Sequence, residues 1–327
     1  AISDYCKEVG IQNVTTEDIY IGNGVSELVV LALQGLINNG DEILIPSPDY
    51  PLWTAATSLC GGSPVHYACD EENDWLPDIQ DIKNKITRST KALVIINPNN
   101  PTGSVYTKPI LEALLEVART NNLVVFADEI YDKIIYDDSH YIPAASLADD
   151  LIFISFSGLS KSYQIAGFRT GWMIVSGAKK KALDYIEGLD MLSSMRMCSN
   201  VPSQHAIRIA LQGKQEHTLL TQPGGRLWEQ RKLAYEMLNA IDGIDCVKPK
   251  AGLYLFPKMD CPRFNILDDE KFVLDLLLQE KVLVVQGSGF NWKMPDHFRI
   301  VFLPELKVLK EAITRISRFL STYRQQN

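Results

Sequence analysis

The stretch that decides the fold is LIFISFSGLSKSYQIAGFRTGW, residues 151–172. It begins with an apolar, β-rich run, which predicts a buried strand, and continues with small and polar residues around Lys161. Lys161 therefore lies just beyond the carboxyl end of a strand, and in open α/β sheets ligands bind in the crevice beyond these ends. Most lysines simply keep their ammonium group in water. The rest of the chain has to decide between these two interpretations.

The overall composition favours a globular protein that acts on small molecules. Of the 327 residues, 46% are hydrophobic and 22% are charged, and the formal net charge is -8. This length allows two domains, and an acidic surface does not attract nucleic acid or an anionic membrane. The six cysteines show neither CxxC nor Cys/His ligand spacing, so we expect no metal and a reducing cytoplasm. No apolar run reaches transmembrane length, and residues 1–10 do not resemble a signal peptide.

Three segments repeat one pattern, an apolar β run followed by a polar turn: KALVIINPNNPTG (91–103), LVVFADEIYD (123–132) and LIFISFSGLSK (151–161). Helical segments such as PILEALLEVART (109–120) lie between them. This alternation predicts an α/β fold with a mainly parallel sheet and helices on both faces. GWMIVSG (171–177) follows so closely that it could be an antiparallel neighbour.

The sequence pattern changes in the last third of the chain. A long helical segment, short strands and a terminal helix follow residue 212. We therefore expect a large domain over residues 1–211, and an interdomain helix with a smaller C-terminal α+β domain over residues 212–327.

Two of the turns that should meet at one edge of the sheet carry groups suited to a ligand. GNGVSE (22–27) opens a helix, where free N–H groups and the helix dipole suit a phosphate, although a plain tight turn is an alternative because the spacing falls short of GxGxxG. Asp128 follows an apolar strand, and its carboxylate needs a cationic or hydrogen-bonding partner there. A protonated ring nitrogen would be such a partner, and a helix cap is the alternative.

Other turns offer aromatic and amide groups. Tyr131, three residues after Asp128, could face the same way and donate or accept a hydrogen bond, or it could be a core tyrosine. Tyr50 and Trp53 in SPDYPLW (47–53) could supply a flat ring for stacking, or they could pack within their loop. The rigid loop NPNNPTG (97–103) presents three amides, those of Asn97, Asn99 and Asn100, although rigid turns alone could explain it.

These motifs together resemble a known family. NPNNPTG, ADEIY (127–131) and SGLSKSYQIAGFRTGW (157–172), in this order and with these separations, resemble the signatures of class I aminotransferases, which have the type I fold and use pyridoxal 5′-phosphate. YIEGLDMLSSMRMCSNVPSQHAI (185–207), YLFPKMD (254–260) and VLVVQGSGFNW (282–292) resemble the bacterial glutamate–pyruvate (alanine) aminotransferases in particular. The resemblance runs the whole length of the chain. It implies a homodimer that transfers the amino group between L-alanine and 2-oxoglutarate, giving pyruvate and L-glutamate.

The resemblance also implies roles for single residues. Lys161 would hold the cofactor's aldehyde as a Schiff base and move a proton between Cα and C4′, because an amine is a nucleophile once it is neutral. Asp128 would keep the pyridine nitrogen protonated, so that the ring accepts the electrons that the departing proton leaves behind. Arg169 would hold the phosphate. The phosphate site would be completed by Asn23, Gly24, Val25 and Ser160.

The remaining roles concern the cofactor ring and the substrate. Tyr131 and Asn100 would hydrogen-bond the phenolic oxygen of the cofactor, and Tyr50 would stack on its ring. Arg299 in HFRIVFLP (297–304) matches the family's arginine for the substrate α-carboxylate, for which a planar fork of donors is suited; Asn100 would also face the substrate. A surface salt bridge is the alternative for Arg299.

Two other activities fit the same motifs. A carbon–sulfur β-lyase, or an aminotransferase of different amino-acid specificity, would share the groups that hold the cofactor. A non-catalytic ligand-binding module is the alternative from another class. Members of the family usually carry several dozen residues ahead of the position of Ala1, and without them we expect weak cofactor binding and little turnover.

Overall fold

The computed structural model describes residues 1–215 and 217–326. The strands within these residues are β1 (Ile19–Gly22), β2 (Glu42–Ser47), β3 (Ser63–Asp70), β4 (Leu76–Pro77), β5 (Thr90–Ile96), β6 (Val124–Asp128), β7 (Ile152–Gly158), β8 (Gly171–Gly177), β9 (Ile244–Asp245), β10 (Tyr254–Leu255), β11 (Lys258–Met259), β12 (Val285–Gln286) and β13 (Phe298–Val301). The α-helices are α1 (Ile2–Glu8), α2 (Val25–Leu36), α3 (Leu52–Leu59), α4 (Ile79–Lys85), α5 (Lys108–Thr120), α6 (Leu183–Arg196), α7 (Val201–Gln212), α8 (His217–Thr221), α9 (Arg226–Asn239), α10 (Cys261–Phe264), α11 (Asp269–Glu280) and α12 (Leu306–Thr322).

A sheet of eight strands organises the large part of the molecule. Its order is β1-β8-β7-β6-β5-β2-β3-β4, and the five strands from β7 to β3 run parallel. The outer strands β1, β8 and β4 pair antiparallel with their neighbours. The mainly parallel sheet is therefore confirmed, and GWMIVSG is the antiparallel neighbour of β7.

Both faces of this sheet are covered. On β5, Leu93 and Ile95 enter the core that contains residues of α1 and α5, whereas Val94 and Ile96 enter the core that contains residues of α2 and α3. Successive side chains of a strand point to opposite faces, so a strand buried on both sides is apolar throughout. The continuous apolar runs in the sequence have this cause.

Strand register brings the predicted turns to one edge. Ile96 at the end of β5 lies opposite Asp128 at the end of β6, and Asp128 lies opposite Phe156 near the end of β7. On the other side, Gly171 at the start of β8 pairs with Gly158 of β7 and with Gly22 at the end of β1. The GNG turn, Asp128 and the Lys161 loop therefore share the carboxyl edge of the sheet.

The C-terminal part has its own core and much shorter strands. A three-stranded sheet, β10-β13-β12, and a two-stranded sheet, β11-β9, pack with α9, α11 and α12. Tyr131, Ile134 and Tyr136 belong to this second core, although they directly follow β6 of the large sheet. The segment after Asp128 thus reaches across to the C-terminal part, which places the edge of the large sheet beside the small one.

The smaller α+β unit is present, but its strands are shorter than the apolar runs predict. The apolar runs GLYLFP (252–257) and KVLVVQG (281–287) favour strands of full length. Only Tyr254–Leu255 and Val285–Gln286 of these runs are paired as β structure. The predicted boundary at residue 212 coincides with the end of α7 and stays a prediction. Among the helices of the described residues, none combines the length and the apolar character that crossing a membrane requires.

Candidate active site

A cavity of about 350 Å³ lies where the carboxyl edge of the large sheet faces the C-terminal part. Its lining includes most of the residues that the sequence singles out, namely Val25, Tyr50, Asn100, Asp128, Tyr131, Ser160, Lys161, Arg169 and Arg299. Residues from both ends of the chain therefore meet in one place. Asn23 and Gly24 are not among the lining residues, and five further residues are, namely Ser26, Ile96, Ile130, Ala166 and Tyr254.

Asp128 lies at the inner end of the cavity and is only 3% exposed. The indole Nε1 of Trp53 donates a hydrogen bond of 3.1 Å to Asp128 Oδ2. Burial raises the pKa of Asp128, and the Trp53 hydrogen bond and the charge of Lys161 act against this shift. The backbone N–H of Ile130 is a second, longer donor, at 3.5 Å from Asp128 Oδ1. A buried carboxyl group whose donors are both neutral is a site that a cationic partner would stabilise.

Trp53 lies in the core and not where its ring could stack on a ligand. It is completely buried between Phe126 and Phe156, with ring centroids 5.6 and 5.5 Å away. It offers no ring face to the cavity and instead orients Asp128 through its N–H group. Tyr50, by contrast, lines the cavity and is 36% exposed, so it is the aromatic ring of this loop that a ligand can reach.

Lys161 reaches the cavity from the loop after β7. Its Nζ lies 5.9 Å from the ring centroid of Tyr131, and within the described residues it has no hydrogen bond or ion pair. The next residue, Ser162, is buried and donates a hydrogen bond of 3.1 Å to Asp132, which also accepts one from Tyr5. The loop is thus anchored beside the lysine, while the amine itself stays available.

The start of α2 forms the far corner of the cavity. Gly24 precedes this helix with φ +88°, and a Cβ there would lie 2.4 Å from Nη2 of Arg169, so only glycine allows this approach. Arg169 donates to the carbonyl oxygens of Ala166 and Asn23 at 2.9 and 3.2 Å. The first N–H groups of a helix have no partner within it, and together with the guanidinium they make a corner that suits an anion.

Asn23 supports this corner without facing the cavity. Its backbone N–H and its side-chain Nδ2 donate to the carboxylate of Glu27, at 2.7 and 3.0 Å. Its side-chain oxygen accepts the N–H of Asn200 at 2.9 Å. Ser26, which the sequence analysis does not single out, lines the cavity instead. The sequence could have indicated Ser26, because it lies in the first turn of the helix that follows GNG.

The three amides of NPNNPTG have separate partners. Asn97 Oδ1 accepts the N–H of Tyr106 at 2.9 Å, and Asn99 Oδ1 accepts the hydroxyl of Thr102 at 2.9 Å, so these two amides hold the loop together. Asn100 Oδ1 accepts a hydrogen bond of 3.0 Å from Nη1 of Arg299. Asn100 is therefore the amide that connects this loop to the C-terminal wall of the cavity.

Arg299 extends from β13 between two aromatic rings. Its guanidinium carbon lies 4.3 Å from the ring centroid of Tyr254 and 4.4 Å from that of Phe290. Burial lowers its pKa, its Nε has no hydrogen-bond partner among the described residues, and none of their carboxylates pairs with it. A partly buried guanidinium with a free donor, and with no counter-ion among the described residues, fits a carboxylate ligand.

Two tyrosines join the walls of the cavity. The hydroxyl groups of Tyr131 and Tyr254 lie 2.8 Å apart and their rings meet edge to face. Burial is the main reason why the pKa of Tyr131 is well above its ordinary value, so its phenol stays protonated and can donate. Tyr254 could not be found from the sequence, because its part in the site arises only from this contact.

The charges around the cavity favour an anionic ligand. The lining carries three cationic side chains, Lys161, Arg169 and Arg299, against one carboxyl group, that of Asp128. Two of the cations lie at different corners, one beside the start of α2 and one on β13. The arrangement offers separate sites for two anionic groups on either side of an amine.

The fold and this set of residues define an aminotransferase, and comparison with known proteins agrees. The family model for aminotransferase class I and II matches residues 1–316, and the chain belongs to this family. It is 59% identical over 325 residues to glutamate-pyruvate aminotransferase AlaA of Escherichia coli strain K12, covering 99% of this chain and 80% of that protein.

Two further relatives support the assignment. The alanine aminotransferase of Mycobacterium tuberculosis strain H37Rv is 55% identical over 316 residues, covering 97% of this chain and 74% of the relative. The crystal structure of an aminotransferase from Escherichia coli superposes with a TM-score of 0.99 at 59% identity, over 99% of this chain and 80% of that one. The predicted fold class and family are confirmed.

Proposed function

We propose that the cavity holds pyridoxal 5′-phosphate and that the protein transfers the amino group between L-alanine and 2-oxoglutarate. The observation that carries the proposal is the cavity itself, in which an amine, a buried carboxyl group and two separate arginines converge. Each matches one group of the cofactor or the substrate. The donors present fit such a ligand: Nε of Arg299 has no hydrogen-bond partner among the described residues, and the hydrogen bonds of Arg169 go to carbonyl oxygens and not to a carboxylate.

The residues that would hold the cofactor come mainly from the edge of the large sheet. Val25, Ser26, Ser160 and Arg169 would bind its phosphate, and Asp128 would pair with its ring nitrogen. When bound, pyridoxal phosphate supplies an electron-accepting ring that stabilises negative charge on the substrate's α-carbon. Tyr50 would cover this ring, and Tyr131 with Asn100 would bind its phenolic oxygen.

The protein's own groups would then orient the substrate and move its proton. Arg299 would bind the α-carboxylate through its free donors, with Asn100 and the two aromatic rings fixing the direction of the guanidinium. Lys161 Nζ, which has no other partner among the described residues, would take the proton from the α-carbon. Asp128, oriented by Trp53, would hold a negative charge beside the protonated ring nitrogen.

The choice of alanine and 2-oxoglutarate is supported by the two relatives named above, whose names specify glutamate–pyruvate and alanine transfer. The direct experiment supplies L-alanine and 2-oxoglutarate to the protein reconstituted with cofactor, and follows pyruvate with a coupled lactate dehydrogenase. L-tyrosine and L-aspartate as alternative donors, compared with alanine through the common product L-glutamate, measure specificity. Preference for another donor by tenfold or more would overturn alanine as substrate but not the aminotransferase class.

The carbon–sulfur β-lyase alternative has a direct test. A β-lyase releases pyruvate from cystathionine without any 2-oxo acid, whereas an aminotransferase needs the acceptor. We therefore expect pyruvate from alanine only when 2-oxoglutarate is present. Pyruvate from cystathionine in its absence would support the lyase.

We also propose that two copies assemble through the face formed by α6 and α7. Four large apolar residues there are at least 59% exposed: Met191, Met195, Met197 and Ile209. Asn200, between the two helices, donates to the carbonyl oxygen of Phe168 and touches Asn23, so this face adjoins the anion corner of the cavity. Exposed apolar patches mark association surfaces.

Sedimentation at several protein concentrations tests for this dimer, and Met195→Glu should shift the equilibrium to monomer.

The compartment that we propose is the cytoplasm. All six cysteines are free thiols, and three of them, Cys6, Cys69 and Cys246, are buried. A chain that pairs none of its cysteines is suited to a reducing environment.

A further inference from the structure

Two segments from distant parts of the chain flank the cavity. Residues 47–54 carry Tyr50, and the helical turn Gly287–Phe290 ends with the ring that lies 4.4 Å from Arg299. These segments belong to the large sheet and to the C-terminal part, respectively. Asp49, in the first segment, is completely buried against the second.

Asp49 is hydrogen-bonded to both segments. Its N–H donates to the carbonyl oxygen of Phe290 at 2.9 Å, and Asn291 Nδ2 donates to Asp49 Oδ1 at 2.7 Å. Thr54 Oγ1 donates to Asp49 Oδ2 at 3.0 Å. Ser47 Oγ adds a fourth bond, of 2.8 Å, to the carbonyl oxygen of Asn291. We call Ser47, Asp49, Thr54 and Asn291 the Asp49 clasp.

The clasp uses a residue that is costly to bury. Burial raises the pKa of Asp49 to about 7, while the hydrogen bonds from Asn291 and Thr54 oppose this shift. An apolar side chain would fill such a place with less cost in desolvation. What a carboxyl group adds is two acceptor oxygens in one plane, which fix the direction of both segments at once.

The clasp is adjacent in sequence to Tyr50, which lines the cavity, and to Phe290, which contacts Arg299. Tyr50 directly follows Asp49, and Phe290 directly precedes Asn291. Phe290 supports Arg299 on the side opposite Tyr254. A shift between the two segments would therefore change the distance from the ring of Tyr50 to the guanidinium of Arg299.

We propose that the Asp49 clasp is a positioning device that sets the carboxylate-binding Arg299 at a fixed place relative to the ring-covering Tyr50. Asp49 acts through these neighbours, so it is a positioning residue and not a catalytic one. The inference rests on the role of Arg299 given under the proposed function. It predicts that damage to the clasp weakens substrate binding more than it slows the chemical step.

The test begins with Asp49→Asn, which keeps the shape but removes one acceptor. The new amide must turn its N–H groups towards either Asn291 Nδ2 or Thr54. We expect a roughly tenfold rise in KM for alanine and 2-oxoglutarate with kcat changed less than about threefold, as for the loss of a hydrogen bond to a charged group. Calorimetry with glutarate, which is 2-oxoglutarate without its oxo group, should show a similar loss of affinity without any turnover.

The exchange variant Asp49→Asn with Asn291→Asp provides the rescue. In this variant the amide of Asn at position 49 can donate to the carboxylate of Asp at position 291, which is the reverse of the wild-type hydrogen bond. Asp tolerates the φ of +57° at residue 291 about as well as Asn does. We expect KM and glutarate affinity to return to within about threefold of the wild-type values, because the hydrogen bond is re-formed. Asp78→Asn, which changes a helix N-cap that accepts two backbone N–H groups, is the matched control and should leave both unchanged.

Each outcome decides one point. If the wild-type protein is active and Asp49→Asn binds glutarate equally well, or if the exchange fails to restore a lost affinity, the clasp does not position the site. If the wild-type protein neither transaminates nor binds glutarate, the proposed function fails instead. If Asp49→Asn does not fold, Thr54→Val keeps the side-chain shape and removes the hydroxyl that donates to Asp49, accepts from Asn291 Nδ2 and contacts His66 Nε2. Unchanged glutarate affinity in that variant overturns the inference.

Discussion

The two walls of the cavity are built in different ways. On the sheet wall, Asp128 and Lys161 follow adjacent parallel strands whose register is fixed by backbone hydrogen bonds. On the C-terminal wall, Arg299 lies on a strand of four residues and is held by Asn100 and two aromatic rings. The groups that would handle the cofactor thus stand on the rigid element, and the group that would recognise the substrate depends on side-chain contacts.

This difference has a functional meaning. Chemistry that needs a fixed geometry benefits from a scaffold that cannot shift, because small displacements of a reacting group are costly. Recognition of a carboxylate needs direction, which stacking and one amide can supply. We therefore expect substitutions on the sheet wall to act on kcat and substitutions on the C-terminal wall to act on KM.

The largest effect is expected for Lys161→Ala. Removal of the amine takes away the covalent attachment point and the proton acceptor, so turnover should fall by about 10⁴-fold or more. Circular dichroism should be unchanged because the residue lies in a loop. Lys108→Ala, which removes an exposed partner of Glu112, is the control. A Lys161→Ala variant that still shows a borohydride-trappable cofactor adduct at the native level would reject the assignment.

Asp128→Ala tests the other chemical group of the sheet wall. Loss of the carboxylate should lower kcat by about 10²–10³-fold, because its charge matters most as negative charge develops on the substrate. Cofactor affinity should change much less. Single-turnover absorbance measurements report the rate of each half-reaction, and an unchanged rate would contradict the role.

Arg299 tests the C-terminal wall. Alanine should reduce kcat/KM by roughly tenfold to a hundredfold, which corresponds to about 1.5–3 kcal/mol for hydrogen bonds to a charged group. Lysine should already be harmful, because a point charge cannot make two parallel N–H···O bonds. Steady-state kinetics with both substrates measure this. A loss confined to cofactor affinity would show that Arg299 binds the cofactor and not the substrate carboxylate.

A smaller effect is expected for Trp53→Phe, which removes the hydrogen bond to Asp128 together with part of a buried ring. One such bond contributes about 0.5–1.5 kcal/mol net, so kcat should fall about twofold to tenfold. Trp172→Phe is a matched control, because the buried Nε1 of Trp172 has no hydrogen-bond partner among the described residues. Equal losses in the two variants would show that packing, and not orientation of Asp128, causes the change.

The smallest effect concerns stability. Buried His297 lies between Asp296 and Glu71, and these carboxylates raise its pKa although burial acts to lower it; Lys258 pairs with the same Glu71. Because the pKa is raised by folding, His297 contributes its full stabilisation of the folded state at pH values below the ordinary histidine pKa of about 6.5. This stabilisation is lost as pH rises through the folded-state value, at up to about 1.4 kcal/mol per pH unit.

Urea unfolding at several pH values measures this contribution. The difference in unfolding free energy between the wild-type protein and His297→Gln should shrink as pH rises above about 6.5. A difference that does not depend on pH would show that His297 stays neutral. In that case the charge of His297 contributes nothing to the free energy of unfolding.

Much of the sheet wall could be predicted from the sequence. An apolar strand followed by a chemically active residue, as at Asp128 and Lys161, is a local pattern, and strands of one parallel sheet necessarily end at the same edge. The short spacing between β7 and β8 likewise indicated an antiparallel pair. Here the sequence was sufficient because chain direction and strand periodicity fix the position of these side chains.

The partners of these residues were decided only by the tertiary structure. The sequence offers Trp53 as a stacking ring, whereas in the structure its N–H donates to Asp128. Nothing in the sequence marks Tyr254, whose hydroxyl lies beside that of Tyr131. Asp49 and Asn291 are 242 residues apart in the chain, yet they share a hydrogen bond. No local pattern carries such information, because the direction of a buried side chain depends on which distant segment packs against it. Sequence thus determined which chemical groups reach the cavity, and packing of the C-terminal part against the sheet determined what orients them.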